Sequence, residues 1–203
     1  VVRIPSAEPY LASKALDAGA NGILVPYIET PEQVRKMVGA VHGKPLKGQY
    51  LQNWLEGTVP SEETGNAIEK ADSERMLFIN IESVPAVECL DEILDVPGLD
   101  GIIIGPNDLS YSMGCPDQYT SPEFEQTVIG ILKKARDKGI AAGVHFTGGM
   151  DRQIQWAKSS GMNLLLHSGD IYAFVKGIHA DLACFRDSLG IASSNIEQKH
   201  IAI

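Results

Sequence analysis

Short apolar segments alternate with amphipathic segments along most of this chain. Each apolar segment is bounded by turn residues and has the length of a β-strand. The six segments are VVRIP at 1–5, GILVPY at 22–27, MLFINIE at 76–82, GIIIG at 101–105, IAAGVHF at 140–146 and NLLLHS at 163–168. Because they are apolar throughout rather than alternating, we expect both faces of the sheet to be covered, as in a parallel sheet packed with helices.

The segments between the predicted strands carry helix start and stop signals. Thr30 to Gln33 reads as a capping box with proline in the first turn, and an apolar stripe follows at helical spacing: Val34, Met37, Val38 and Val41. The pattern lapses between Gly43 and Asp72, where we expect a long connection with a helical piece near Ala67. A connection of that length in a compact domain is more often functional than idle.

The alternation of strands and helices predicts an α/β fold, for which two architectures fit. One is a doubly wound sheet and the other is a (β/α)8 TIM barrel. No GxGxxG or GxxxxGK[ST] motif follows any predicted strand, which weakens the nucleotide-binding, doubly wound version. We therefore predict a TIM barrel with about six of its eight strand-helix units in this chain. It forms one catalytic domain over residues 1–190, followed by a C-terminal tail at 191–203.

The composition excludes several classes of partner. The 203 residues carry a net charge of −9 with a pI near 5.0, so no general nucleic-acid or anionic-membrane surface is expected. No apolar run has the length of a membrane span, and the first residues lack the plan of a secretory signal. Cys89, Cys115 and Cys184 lie far apart without zinc-ligand spacing, which favours a reducing, cytoplasmic compartment. The chain opens at Val1 on what reads as the middle of a fold, so we expect it to be part of a longer protein.

Two carboxylates follow neighbouring predicted strands. Glu82 ends MLFINIE, and Asp108 lies three residues beyond GIIIG. Because active groups of these folds lie at the carboxyl ends of the strands, we expect both acids over one face of the sheet. They could serve as general acid and base, as in glycoside hydrolysis, or each could be a structural helix cap. A hard divalent cation is the better partner, because Mg²⁺ and Mn²⁺ are commonly held by one or two carboxylates together with water and substrate oxygens.

The residues around Asp108 and one arginine complete the candidate site. Gly105 lets a ligand approach the backbone, and Pro106 stiffens the turn so that the amides of Asn107 and Asp108 can face an anion. Arg3 lies near the end of the first apolar segment, where a buried guanidinium requires a ligand or a carboxylate. A salt bridge in the barrel interior is the alternative. Opposite a metal, Arg3 would stabilise an enolate oxyanion.

Four segments of the chain carry a family resemblance. VVRIP, GANGILVPYIETPEQV, INIES and VPGLDGIIIGPNDLS, in this order and spacing, resemble the metal-dependent class II pyruvate aldolases of the HpcH/HpaI aldolase/citrate lyase family. The resemblance implies a TIM barrel, usually hexameric, that cleaves 4-hydroxy-2-oxo acids into pyruvate and an aldehyde through a metal-stabilised enolate. It implies Glu82 and Asp108 as ligands of Mg²⁺ or Mn²⁺, with Co²⁺ as a third option. Arg3 would contact the keto or enolate oxygen, and the backbone at Gly105, Pro106 and Asn107 would hold the pyruvate carboxylate.

The chain departs from the family pattern at three places. Asn80 stands two residues before Glu82, where the family usually has Gln, and its shorter amide is expected to hold water or substrate differently. The segment GKPLKGQYLQNW replaces a Gly-Arg-Gly-like segment, which leaves the aldehyde partner open. The family's His-Asp proton shuttle would precede Arg3, outside this chain. His145 ends another predicted strand and could reach the site, although a lone histidine there is more often packed and hydrogen-bonded.

Three other functions stay open. A malyl- or citramalyl-CoA lyase would use the same enolate, and it would need basic residues at the pocket mouth, where Lys44 and Lys47 are the available cluster. A decarboxylating synthase would add the enolate to another acceptor, and a non-catalytic scaffold would keep only the barrel. We predict a metal-dependent carbon–carbon lyase that acts on a small 2-oxo acid, forms a homo-oligomer and binds neither nucleic acid nor membrane.

Overall fold

The computed structural model describes residues 1–44, 46–59, 61–147 and 149–191. Within these residues, six strands alternate with helices. The strands are β1 (Val2–Arg3), β2 (Gly22–Val25), β3 (Met76–Ile81), β4 (Gly101–Ile104), β5 (Ala141–Phe146) and β6 (Leu164–His167). The helices are α1 (Pro9–Asp17), α2 (Pro31–Val41), α3 (Gly48–Leu55), α4 (Glu62–Asp72), α5 (Val84–Glu88), α6 (Leu90–Leu94), α7 (Pro106–Ser112), α8 (Pro122–Asp137), α9 (Met150–Ser160) and α10 (Asp170–Ser188).

The strands lie side by side in the order in which they occur along the chain. The sheet order is β1-β2-β3-β4-β5-β6, and β1 to β5 pair in parallel. A doubly wound sheet reverses its strand order at a switch point, so this sequential order supports the barrel-type arrangement instead. The predicted α/β class and the six predicted strands are confirmed. The full count of eight units stays a prediction.

The two faces of the sheet carry apolar clusters of very different size. One face packs against the helices in a large core, to which the strands contribute residues such as Ile23, Ile79, Ile104 and Val144. The other face, called the inner face below, carries a small cluster made of Leu24, Phe78 and Ile103, with Leu164 and Leu166 packed against it. Side chains alternate along a strand, so Asn80 and Glu82, which follow Phe78 at intervals of two, belong to the inner face.

The predicted capping box of α2 is present. Thr30 Oγ1 accepts a hydrogen bond from Gln33 N at 3.3 Å, and Gln33 Oε1 accepts one from Thr30 N at 3.0 Å. The predicted apolar stripe is buried throughout, at Val34, Met37, Val38 and Val41. The start of α2 and the face that it turns toward the sheet therefore follow from local sequence.

The connection between Gly43 and Asp72 is more ordered than predicted. Helix α4 includes Ala67, as expected, but the sequence pattern missed α3. A Cβ at Gly43 would lie 2.6 Å from Leu51 and 3.0 Å from Trp54, so α3 lies directly against the end of α2. Leu51 and Trp54 of α3 pack on Gly43, which has no side chain. Tertiary contacts of this kind override a weak local propensity for helix.

A buried histidine ties this connection to the amino-terminal edge of the sheet. His42 follows α2, is 6% exposed, and places Nδ1 2.6 Å from Asp72 Oδ1. Its Nε2 lies 3.3 Å from Asp100 Oδ2, an ion-pair contact without the alignment of a hydrogen bond. Burial opposes the charged imidazole, but the interactions with Asp100 and Asp72 outweigh it and raise the pKa of His42. The histidine thus connects α2, α4 and the start of β4 through two carboxylates that favour its charged form.

The chain divides into two compact units, Val1–Leu166 and His167–Ile203. The first unit contains β1 to β5, most of β6 and helices α1 to α9, and the second contains α10. The single domain over residues 1–190 stays a prediction, and residues 192–203 of the predicted tail lie outside the described residues. Neither unit contains, among its described helices, one long and apolar enough to cross a membrane.

Candidate active site at the carboxyl ends of the strands

Glu82 is a buried carboxylate at the end of β3 whose hydrogen-bond donors are neutral. The residue is 5% exposed. Its Oε1 accepts from Tyr27 N at 2.8 Å, and its Oε2 accepts from Asn80 Nδ2 at 3.0 Å. No Lys, Arg or His of the described residues forms an ion pair with it. Because a carboxylate removed from water without a positive partner is costly, this position favours a cationic ligand.

Asn80 leaves a buried oxygen unsatisfied beside Glu82. Its Nδ2 donates to Glu82, whereas its Oδ1 is buried and has no hydrogen-bond partner within the described ranges. A buried side-chain oxygen rarely lacks both a hydrogen-bond donor and a bound ion. Asn80 Oδ1 is therefore suited to accept a hydrogen bond from a water molecule or from a substrate at the inner face.

Strand β4 leads through Gly105 into α7, which carries Asp108. A Cβ at Gly105 would lie 2.8 Å from Glu82 Oε2, so the missing side chain makes room for that carboxylate. Gly105 is the N-cap residue, and Asp108 lies in the first turn of α7. The alternative that Asp108 caps this helix is wrong, because Gly105 occupies the cap position. Asp108 is exposed, and both acids lie at the same edge of the sheet, since each follows the carboxyl end of its parallel strand.

A polar network holds the first turn of α7. Ser110 Oγ is buried, donates to Asn107 O at 2.8 Å and accepts from Asp117 N at 3.1 Å. Tyr119 Oη donates to Asp117 Oδ1 at 2.7 Å and lies 3.4 Å from Asn107 Oδ1. Burial, together with the hydrogen bond to Asp117, raises the pKa of Tyr119 to about 12, so the phenol keeps its proton. The network therefore fixes the backbone on which Asp108 lies.

Arg3 lies on the inner face but is not buried. It pairs with Leu24, which pairs with Phe78, so its side chain belongs to the same face as Asn80. Arg3 is exposed and forms no ion pair with another described residue. The expected burial of its guanidinium is therefore wrong, and the alternative of an interior salt bridge finds no carboxylate partner in the described ranges. An exposed, unpaired guanidinium on this face can contact an anionic ligand.

Lys44 does not lie at this edge. It forms an ion pair with Asp17, the last residue of α1. Because α1 runs from the carboxyl end of β1 back to the amino end of β2, that pair lies at the opposite edge of the sheet. The basic cluster required for a CoA thioester is thus not assembled beside Glu82.

The residues present at the carboxyl edge fit a hard divalent cation. They offer oxygen donors: the buried Glu82, the exposed Asp108 and the unsatisfied Asn80 Oδ1. Within the described residues there is no group of three or more His, Cys, Asp or Glu side chains that could hold a metal. Two carboxylates are sufficient for Mg²⁺ or Mn²⁺, which keep water and substrate oxygens as their other ligands.

Two residues of the site carry no signal in the sequence. Tyr27 adopts a φ of 59°, a left-handed conformation that non-glycine residues rarely take, and its N–H reaches a carboxylate 55 residues away. The segment GILVPY predicted Tyr27 as part of a strand, yet β2 ends at Val25. Tyr119 likewise contacts Asn107 only through the folding of the loop after α7.

Known proteins resemble this chain over most of its length. The family described as HpcH/HpaI aldolase/citrate lyase matches residues 1–162. A hydroxypyruvate/pyruvate aldolase from Roseobacter denitrificans is 33% identical over 172 residues, which cover 84% of this chain and 66% of that protein. A 2-keto-3-deoxy-L-rhamnonate aldolase from Salmonella gallinarum is 29% identical over 194 residues, which cover 96% of this chain and 72% of that protein. A solved HpcH/HpaI aldolase from Desulfitobacterium hafniense superposes with a TM-score of 0.73 at 26% identity, covering 91% of this chain and 71% of that one.

Proposed function

This chain belongs to the HpcH/HpaI aldolase/citrate lyase family and its aldolase relatives indicate a lyase, and we propose that it cleaves a 4-hydroxy-2-oxo acid into pyruvate and an aldehyde. The proposal includes a divalent cation, Mg²⁺ or Mn²⁺, and a cytoplasmic homo-oligomer, a hexamer by family resemblance. The observation that carries it is the buried Glu82 carboxylate, whose two hydrogen-bond donors bring no positive charge. The name of one relative, which refers to 2-keto-3-deoxy-L-rhamnonate, supports a 2-oxo acid as the substrate class.

Glu82 and Asp108 would hold the cation. Asn80 Oδ1 would accept a hydrogen bond from a water molecule or from the substrate at the inner face. When bound, the cation supplies Lewis-acid stabilisation of negative charge on the oxygens of the 2-oxo acid. The hydrogen bonds from Tyr27 N and Asn80 Nδ2 orient the Glu82 carboxylate before any ligand arrives. The proposed contact for the substrate carboxylate is the backbone at Gly105, Pro106 and Asn107.

The reaction needs a group that stabilises the electron pair of the breaking bond. When the C4 hydroxyl loses its proton and the C3–C4 bond breaks, that pair moves onto the keto oxygen as an enolate. Arg3 would donate a hydrogen bond to this oxygen, and the bond strengthens as negative charge develops. Because a guanidinium stays protonated in proteins, Arg3 stabilises charge and transfers no proton. Protonation of the enolate at C3 then gives pyruvate.

A coupled assay of pyruvate release from a 4-hydroxy-2-oxo acid tests this function. We expect EDTA to abolish cleavage and added Mg²⁺ or Mn²⁺ to restore it, and metal-independent cleavage would contradict the proposal. Glu82→Gln is expected to lower kcat/KM at least about 10²-fold. In other enzymes, removing a single group that stabilises the charge of the transition state has an effect of this size. Glu123→Gln is the matched control, because Glu123 is an exposed acid in the first turn of α8.

A further inference from the structure

We propose that Glu29, in the loop between β2 and α2, is a positioning residue that fixes the Glu82 carboxylate for its cation. This inference rests on the proposed function. Glu29 acts through two other residues: Ser83, which follows Glu82 in the chain, and Tyr27, whose N–H donates to Glu82 Oε1. Together they connect the loop after β2 to the loop after β3.

Two hydrogen bonds join these loops side by side. Tyr27 N donates to Glu82 Oε1 at 2.8 Å, and Ser83 Oγ donates to Glu29 Oε1 at 2.7 Å. Glu82 and Ser83 are adjacent in the chain, and Tyr27 and Glu29 are two residues apart. The two hydrogen bonds therefore close a small ring with the backbone of both loops, and a movement of either loop would stretch both bonds.

Tyr27 gives this ring a tendency to open. Its φ of 59° is left-handed, a region that a tyrosine seldom occupies. Such conformations persist only where the surrounding structure holds them in place. A change to the usual negative φ would turn the Tyr27 N–H away from its present direction, and the hydrogen bond to Glu82 would be lost.

Glu29 is held both by its backbone and by its side chain. Its N–H donates to Gln33 Oε1 at 2.8 Å, the oxygen that also closes the capping box of α2. Ile28, between Tyr27 and Glu29, is fully buried in the core. The backbone of Glu29 is thus anchored to α2, whereas its side chain is anchored to Ser83. Loss of the side-chain anchor leaves fewer contacts that oppose the relaxation of Tyr27.

The bond between Ser83 and Glu29 therefore favours the conformation in which Glu82 is oriented for a cation. Without this bond, the left-handed form of Tyr27 becomes less populated, and fewer molecules have the Tyr27 N–H on Glu82. The apparent affinity for the cation falls with that fraction of molecules. Loss of one ordinary hydrogen bond changes such a population by about 3- to 10-fold.

A double-mutant cycle tests this role through calorimetric binding of Mg²⁺ with oxalate, an enolate mimic. We expect Glu29→Ala to weaken binding by about 3- to 10-fold. Glu29→Gln keeps an oxygen that can accept from Ser83, so it should lose less affinity. In a Tyr27→Gly background, where glycine takes a positive φ without strain, Glu29→Ala should have almost no further effect. Glu32→Gln removes an exposed acid three residues away and is the control for lost charge, with binding as in the wild type.

Hydrogen exchange of the Tyr27 amide, measured without metal, separates this inference from the proposed function. Glu29→Ala should speed the exchange by a similar factor, because the bond to Glu82 protects this amide. If the exchange responds but the wild-type protein binds no Mg²⁺ with oxalate, the metal site of the proposed function is refuted and the link between Glu29 and Tyr27 stands. An unchanged exchange rate refutes the link itself.

Three binding results would overturn the positioning role. Wild-type affinity in Glu29→Ala would mean that the bond to Ser83 does not fix Glu82. An equal loss with and without Tyr27→Gly would exclude Tyr27 as the intermediary. An equal loss in Glu29→Gln and Glu29→Ala, with Glu32→Gln unaffected, would make the charge of Glu29 the cause and assign Glu29 to the cation as a ligand.

Discussion

Substituting Gly105 by alanine is expected to displace the Glu82 carboxylate without straining the backbone. Gly105 has φ −88° and ψ 91°, a conformation open to alanine. The new methyl group would lie 2.8 Å from Glu82 Oε2 and 3.0 Å from Glu82 Cβ. Non-bonded heavy atoms prefer separations of about 3.5–4.0 Å, so the Glu82 side chain must move.

The cost of that movement follows from the hydrogen bonds that orient Glu82. Oε2, the atom nearest the new methyl group, accepts the bond from Asn80 Nδ2 at 3.0 Å, and Oε1 accepts the bond from Tyr27 N. A hydrogen bond to a charged group contributes about 1.5–3 kcal/mol. Losing the bond from Asn80 should therefore weaken the binding of a cation at Glu82 by about 10- to 100-fold.

Calorimetric titration with Mg²⁺ and oxalate measures this loss, and the rate of aldol cleavage should fall in parallel. Gly130→Ala is the matched control, because a Cβ at Gly130 of α8 meets no atom within 4 Å. That substitution should stabilise the helix by up to about 1 kcal/mol and leave the titration unchanged. Wild-type affinity for Mg²⁺ and oxalate in a folded Gly105→Ala variant would refute the idea that the cation binds to the Glu82 carboxylate in its position beside Gly105.

Three further predictions concern stability, measured by urea unfolding. The raised pKa of His42 means that its stabilisation is complete below the ordinary pKa of 6.5 and is lost as pH rises through the folded value. His42→Gln should therefore cost about 1–2 kcal/mol near pH 5.5 and less near pH 9, and an equal cost at both pH values would contradict the ion pairs. Trp156 is 1% exposed, and its Nε1 has no hydrogen-bond partner among the described residues. Trp156→Ala should therefore lower the free energy of unfolding by about 3–5 kcal/mol, and Trp156→Phe should lower it much less. Similar losses in the two variants would show that the indole matters beyond packing. Thr30→Ala should cost about 1 kcal/mol, whereas Thr30→Ser keeps the cap; no difference between them would exclude the capping box.

The sequence by itself determined most of the fold. The six strands are apolar runs, and α2 begins at a capping box, so both follow from interactions within a few residues of chain. The common edge of Glu82 and Asp108 was also predictable, because parallel strands all end on one side of their sheet. What these acids bind stays a proposal, since their role depends on a ligand.

The tertiary structure alone decided the features that depend on contacts between distant residues. The left-handed Tyr27, whose N–H reaches Glu82, and the buried His42 between Asp72 and Asp100 have no local signal. The exposure of Arg3 was also mispredicted, because an apolar neighbourhood in sequence does not specify what covers a strand. Local patterns predict elements because their energies arise within one turn or one strand. Conformations such as that of Tyr27 persist because the surrounding structure, assembled from remote segments, outweighs the local preference.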